Sequence, residues 1–349
     1  MQLLRLISTF ILSFFNITAG PNIPPTPAVN PSPILAPITL EKIFDRYVDN
    51  RTLNQSISII TTGDVIPART VNFKMSQNND FTLPFHKTAD FLKNSDMTII
   101  NLEAPLIADC PLTTEGMVFC GDQRFIDGLL FAGIDAATLG NNHSLNHGRE
   151  GLSQSKRLLE QNNILFAGPT AVTSALSNLA VNEIKGLRIG ILAYNILDNP
   201  DRQIILGEIR AAKAQVDFLM VSFHWGAEYV RYPANQTIRL AREAIDNGAD
   251  FINGNHPHWI QPLEVYRDKL IVYAHGNFIF DQEWSEETKT GMLVKTYLVG
   301  SQIADAEVIP IFISGYNQPE ILTGEKKEEV YNFVREISGQ QKNFRDSAF

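Results

Sequence analysis

From residue 56 onward, short apolar runs alternate with stretches in which apolar residues recur at helical spacing. The runs SISII, MTII, DAATL, DFLMVSF, ADFIN and LIVYA are short, in the main β-branched or aromatic, and bounded by Gly, Asn or Asp. Those are the marks of buried strands. Between them, Gly151 to Asn162 sets Leu152, Leu158 and Leu159 on one helical face, and Asn235 to Asn247 does the same with Ile238, Ala241 and Ile245. Both read as crossover helices, and the alternation predicts an α/β fold. Outlying elements are a helix around Leu40 to Tyr47, a core strand over Val308 to Ile313, and a solvated helix of mixed charge over Gly324 to Ile337.

The amino terminus follows a different pattern. One Arg, an apolar run from Leu6 to Phe15 and small or polar residues closing on Ala19-Gly20 match a signal peptide, with a membrane anchor as the alternative. Seven prolines between Pro21 and Pro37 forbid a continuing helix and favour an extended tether. The expected organisation is therefore residues 1–20 as signal or anchor, 21–37 as linker and 38–349 as one domain. An exported chain would be periplasmic, extracellular or anchored at the cell envelope.

Composition narrows the chemistry. The 349 residues carry 29 Lys and Arg against 38 Asp and Glu, a net charge of −9, with no basic run. A nucleic-acid partner is excluded, because phosphate neutralisation needs clustered cations. The two cysteines, Cys110 and Cys120, cannot build a Cys-rich zinc site, so any metal must sit on His, Asp, Glu and Asn. Ten positions apart in a loop-like stretch, they are expected to pair as a disulfide in an oxidising compartment.

Chemistry gathers just past the strands. SISII leads to Asp64, MTII to Glu103, DAATL to Asn142 and His143, DFLMVSF to His224, ADFIN to His256 and His258, and LIVYA to His275 and Asn277. Taken singly, each has an ordinary explanation: Asp64 as a turn residue, Glu103 as a loop charge, Asn142 in a left-handed turn, His258 flanking a proline. Jointly they do not. Residues beyond the carboxyl ends of strands in an open α/β sheet converge on one edge, so the repeat points to a metal site built from imidazole, carboxylate and amide.

The motifs GDVIPAR, NLEAPL, AGIDAATLGNNHSLNHGREGL, HWGAEY, GNHPHWIQPLE and GNFIFD, in that order between Ile57 and Asp281, resemble the CapA family of poly-γ-glutamate capsule proteins within the calcineurin-like metallophosphoesterase superfamily. The resemblance implies a β-sandwich of two mixed sheets flanked by helices, with the metal site at the carboxyl ends of the strands. It also implies metal ligands at Asp64, Glu103 (bridging), Asn142, His224, His256 and His258, and His143 as the acid that assists the leaving group. Arg69 is a candidate anchor for phosphate or carboxylate, since a guanidinium grips either with a bidentate fork.

Two positions depart from the superfamily pattern. Ile66 stands where its first motif has a histidine, so one ligand is expected to be missing or replaced in part by Arg69. Asn146 stands where an aspartate often follows the NNH histidine. The implied cofactor is one or two divalent transition metal ions, Mn, Fe or Zn. The implied partner is an anionic polymer or phosphoester substrate, with a membrane synthase complex as a further partner. Three readings stay open: a phosphoester hydrolase, an enzyme that cuts or transfers amide bonds of the polymer, and a non-catalytic polymer-binding member of a synthase complex. Trp225 and Trp259, beside the histidines, either wall the pocket or pack in the core.

Overall fold

In the computed structural model, which describes residues 36–45, 56–169 and 178–346, the apolar runs become the inner strands of two sheets. In chain order the strands are β1 (Ile57–Val65), β2 (Met97–Leu102), β3 (Leu106–Ile107), β4 (Gly121–Asp122), β5 (Ala136–Thr138), β6 (Leu165–Ala167), β7 (Ala180–Ile184) and β8 (Leu187–Asn195). They continue with β9 (Phe218–His224), β10 (Phe251–Asn255), β11 (Leu263–Tyr266), β12 (Lys269–Val272), β13 (Asn277–Ile279), β14 (Thr290–Val299), β15 (Gln302–Ser314) and β16 (Gln318–Ile321). The first sheet has the order β16-β15-β14-β1-β2-β5-β6, with β13 paired to the end of β1, and the second the order β11-β12-β10-β9-β8-β7. Both are mixed: β1, β2, β5 and β6 run parallel while β14 to β16 are antiparallel, and β8, β9, β10 and β12 run parallel between antiparallel β7 and β11.

Side chains alternate across a strand, so each inner strand feeds two cores. Ile57 and Ile59 of β1, Met97 and Ile99 of β2, Phe218 and Met220 of β9 and Phe251 of β10 meet between the sheets. Ile60 and Ile100 turn the other way, under the helices Thr70–Asn78, Phe125–Ala132 and Gly148–Gln161. Leu219, Val221 and Ile252 lie under the helices Arg202–Lys213 and Asn235–Asp246. The result is the expected sandwich of two mixed sheets with helices on the outer faces.

One outlying element differs from its sequence reading. The carboxyl-terminal helix, Gly324–Asp346, is more than a solvated surface helix: Tyr331, Val334 and Ile337 are buried in the core between the sheets. The Tyr331 hydroxyl lies 3.0 Å from the carbonyls of both Ile43 and Phe44, which ties that helix to the helix Leu40–Asp45. The described residues lie within the unit Leu35–Phe349. The signal segment and nearly all of the proline-rich tether fall outside them; among the described residues no helix is long and apolar enough to cross a membrane.

Register aligns the chemistry. Asp64 of β1 is level with Asn101 of β2 on one side and Asn277 of β13 on the other. In the second sheet Asn195, His224 and Asn255 share a rung. Two glycines allow the approach: a Cβ on Gly63 would stand 2.1 Å from the Gly276 carbonyl oxygen, and one on Gly254 would stand 2.1 Å from that of Tyr273. No side chain fits at either point.

Candidate metal centre

Two carboxylates and three imidazoles meet where these rungs end. Asp64 and Glu103 are 0% exposed, and His224, His256 and His258 lie between 2% and 5%. An isolated carboxylate buried this deeply is strongly unfavourable, so its partners decide what the site is for. Asp64 has partners: it accepts a 2.8 Å bond from Asn101 Nδ2 and lies 3.0 Å from His258 Nδ1. Burial pushes its carboxyl up, but the hydrogen bond and charge of His258 outweigh that and hold it well below the usual carboxylate range. The same pairing raises His258 to about 9 against the pull of its own burial.

Glu103 is different. Its Oε2 accepts only a long 3.3 Å bond from Asn101 Nδ2, and Oε1 has no hydrogen-bond donor, although His224 Nε2 stands 3.3 Å away. Burial first, and then the charge of Asp64, push its carboxyl well above the ordinary value. His256 Nδ1 in turn lies 3.1 Å from His224 Nε2, two ring nitrogens facing each other. Burial lowers both rings to about 3, so they are neutral with lone pairs to offer.

This donor set fits a cation. Ligand atoms of Glu103, His224 and His256 lie within 4.8 Å of one another, and so do those of Asp64, Glu103 and His258. Glu103 belongs to both triads. Tetrahedral ligands at about 2.1 Å from an ion stand roughly 3.4 Å apart, close to the 3.1 and 3.3 Å spacings around His224. Asn142 follows β5 and holds a buried Oδ1 that also lacks a donor. Its neighbour Asn141 is committed elsewhere, donating to Asn101 Oδ1 and the Leu102 carbonyl. Imidazole and carboxylate in this arrangement are compatible with a metal site.

His143 stands beside this centre. Asn146 Oδ1 accepts the Phe119 backbone N–H at 2.7 Å, which identifies it as the oxygen, so the His143 Nδ1 at 2.9 Å carries the proton. In the neutral ring Nε2 is then the basic nitrogen. The imidazole lies against the Phe119 ring, centroids 4.2 Å apart, and burial lowers its pKa. Asn146 thus orients the histidine where an aspartate would also have stabilised its charged form.

Arg69 is engaged rather than free. Its Nε donates to Asp281 Oδ1 at 3.1 Å, Nη2 bonds the same oxygen, and the backbone N–H of Thr70 caps Asp281 Oδ2 at 3.0 Å. The guanidinium sits over the rings of Phe119 and Phe280, and Nη1 donates to the Gly116 carbonyl. An anion arriving here meets an ion pair, not a lone cation. Nor does Arg69 fill the gap at Ile66, which is 0% exposed in an apolar cluster with Ala68, Ala104, Phe119 and Phe280. Cys110 and Cys120 are joined in a disulfide, Cα atoms 5.8 Å apart, closing the loop that delivers Gly116 and Phe119 to Arg69 and His143.

The remaining singled-out residues separate. His275 is a core histidine, with Nε2 at 2.7 Å from Asn253 Oδ1 and Nδ1 at 3.2 Å from the Met292 carbonyl. Trp225 packs in the core, its Nε1 donating to the Tyr273 carbonyl, whereas Trp259 stays near the site in an aromatic group with Tyr229. Asn277 Oδ1 holds His258 Nδ1 at 2.9 Å. The sequence reading missed Asn101, which bonds both carboxylates, and Glu228, which forms a third triad with His256 and His258.

Comparison with known proteins places this geometry. Residues 58–282 match the family described as bacterial capsule synthesis protein PGA_cap. The chain is 26% identical over 303 residues to the capsule biosynthesis protein CapA of Bacillus anthracis, covering 80% of this chain and 72% of the relative. It is 31% identical over 188 residues to the PGA biosynthesis protein CapA of Bacillus subtilis, spanning 50% of this chain and 49% of that one. A hypothetical protein from Thermus thermophilus shares the fold at a TM-score of 0.50 and 14% identity, over 73% of this chain and 98% of its own. The chain belongs to the bacterial capsule synthesis protein PGA_cap family.

Proposed function

We propose that the chain is a metal-dependent hydrolase of the cell envelope that acts on a phosphoester in the formation or export of a poly-γ-glutamate capsule. One observation carries the chemistry: two ligand triads share the buried Glu103, whose Oε1 has no donor. A divalent cation held by such residues supplies Lewis acidity, acidifying water and offsetting charge that builds on a phosphoryl oxygen. Asp64, Glu103 and His258 would hold one ion, and Glu103, Asn142, His224 and His256 the other. Asn101 fixes both carboxylates, and Asn277 fixes His258. With its Nδ1 proton committed to Asn146, His143 would take on Nε2 the proton released by the attacking water and pass it to the leaving oxygen. General acid–base catalysis of that kind is worth about 10²- to 10⁴-fold.

The envelope location and the polymer rest on the signal-like amino terminus and on the family relatives, which are named for capsule and PGA biosynthesis. Metal analysis of purified protein, combined with a phosphodiester screen of wild type and His224→Ala, tests the reading. Bound transition metal with activity lost in the variant is expected. Protein that binds no transition metal, with any activity unchanged in His224→Ala, refutes it. Metal binding without hydrolysis of any phosphoester favours the polymer-binding role.

A further inference from the structure

The two triads account for Asp64, Glu103 and the three histidines, but a third carboxylate reaches the same group of atoms. Glu228 lies four residues beyond His224, in the segment that follows β9. That segment is pinned over the centre at both ends: Trp225 N–H donates to the Asn255 carbonyl, and Tyr229 N–H donates to the Pro257 carbonyl at 2.9 Å. Tyr229, at φ 59°, also has its hydroxyl held by Gln282 Nε2 at 3.0 Å. A residue without Gly's freedom in the left-handed region signals a loop whose path is fixed by its surroundings. The carboxylate of Glu228 is thereby set with its ligand atom within 4.8 Å of ligand atoms of His256 and His258.

Those two imidazoles come from different triads. His256 stands with Glu103 and His224, and His258 with Asp64 and Glu103. Glu228 therefore touches one member of each, and unlike the fully buried Glu103 it is only half-buried. Charge makes the same case. Two divalent cations would bring four positive charges against two from Asp64 and Glu103, because Asn142 and an imidazole that has given up its proton to a cation are neutral ligands. A buried surplus of that size is unfavourable, and a third carboxylate reduces it. Ile66, packed with Ala68, Ala104, Phe119 and Phe280, itself offers no ligand atom.

We propose that Glu228 is a further cation ligand, closing the metal centre from its half-buried side. The proposal rests on the two-ion reading of the centre. As the half-buried ligand it completes the more weakly held ion, and its added oxygen favours Mn²⁺ over Zn²⁺ at that position.

The test is metal titration, with Mn²⁺ and with Zn²⁺, of stripped full-length wild type, Glu228→Gln and Glu228→Asp, read by calorimetry and by elemental analysis after dialysis. Wild type is expected to take up two ions. Glu228→Gln, which keeps the side chain's shape, is expected to keep the tighter ion and to bind the weaker at least about 100-fold less well. Glu228→Asp is expected to recover part of the loss. In the Mn²⁺-loaded protein, the electron paramagnetic resonance signal of a coupled pair should give way to that of isolated Mn²⁺ in Glu228→Gln. Metal-free wild type and Glu228→Gln should melt together, which separates ligand loss from misfolding. If Glu228→Gln binds two ions with affinities within about threefold of wild type, the role of Glu228 falls while the metal centre stands. If wild type itself binds no ion, the hydrolase reading falls with it.

Discussion

Breaking the Cys110–Cys120 link should cost the fold a calculable amount of stability and loosen His143 at the same time. The two residues are ten positions apart. For a closed loop of that size the chain-entropy relation gives about 9 cal/mol/K, or about 2.7 kcal/mol at 25 °C. Unfolding entropy of about 2.1 cal/mol/K per residue comes to roughly 0.6 kcal/mol/K over the roughly 290 described residues, so the melting temperature should fall by about 4 to 5 °C. The loss is not spread evenly. Phe119, next to Cys120, donates its N–H to Asn146 and lies against His143, while Gly116 holds Arg69 through its carbonyl. Cys110→Ser/Cys120→Ser should therefore lower any activity that uses His143 by more than its drop in melting temperature accounts for. Scanning calorimetry of the oxidised, thiol-reduced and double-Ser forms measures the first effect, and turnover well below the melting range measures the second. A shift below about 1 °C, with both thiols shown to be free, would refute the reasoning and mean that Phe119 packing alone fixes the loop.

Two further perturbations probe how the sheets position the site. Gly254→Ala drives a Cβ to 2.1 Å from the Tyr273 carbonyl oxygen, backbone against backbone on the strand that leads to His256. A loss of about 3 kcal/mol is expected in denaturant unfolding, at the upper end for overpacking, with metal uptake impaired even in the folded fraction; wild-type stability would show that β10 and β12 separate freely. Asp135 tests a half-buried charge away from the centre: its partial burial raises its carboxyl, while the 2.7 Å bond from the Thr98 N–H opposes that rise. The folded state then binds the proton more tightly than the unfolded chain, so the carboxylate costs stability at neutral pH and ceases to do so once pH falls below the unfolded value. Asp135→Asn, which can still accept from Thr98, should melt higher than wild type at pH 7 and level with it at pH 3; an equal gain at both pH values would assign the effect to packing.

The candidate ligand residues were legible in the sequence for a chemical reason. A metal site needs particular atoms at the ends of particular strands, so Asp64, Glu103, His224, His256 and His258 stand out as polar breaks in apolar runs, and the structure gathers all five within two overlapping triads. The α/β alternation was legible in the apolar runs, whereas the sandwich of two mixed sheets was legible only through the family resemblance, because local pattern does not say which strands share a sheet. What holds the ligands follows other rules. Asn101 is one polar residue inside β2, and only the register that sets it level with Asp64 gives it a role. Arg69 looked like a cation awaiting an anion because its partner, Asp281, lies 212 positions away and no local pattern links them. Glu228 escaped a search of strand ends because it sits four residues past one, on a loop whose path is set by hydrogen bonds to the segment after β10. The carboxyl-terminal helix misled through its charges, since Tyr331, Val334 and Ile337 form a narrow stripe at spacing three, enough to enter the core yet easily outvoted by the polar residues around it. Sequence pattern reports what an atom can do, and long-range register decides which atom it does it with. The residues most open to revision are therefore those whose role depends on a partner, which is why Glu228, assigned by proximity to two histidines, is the position at which mutagenesis discriminates most sharply.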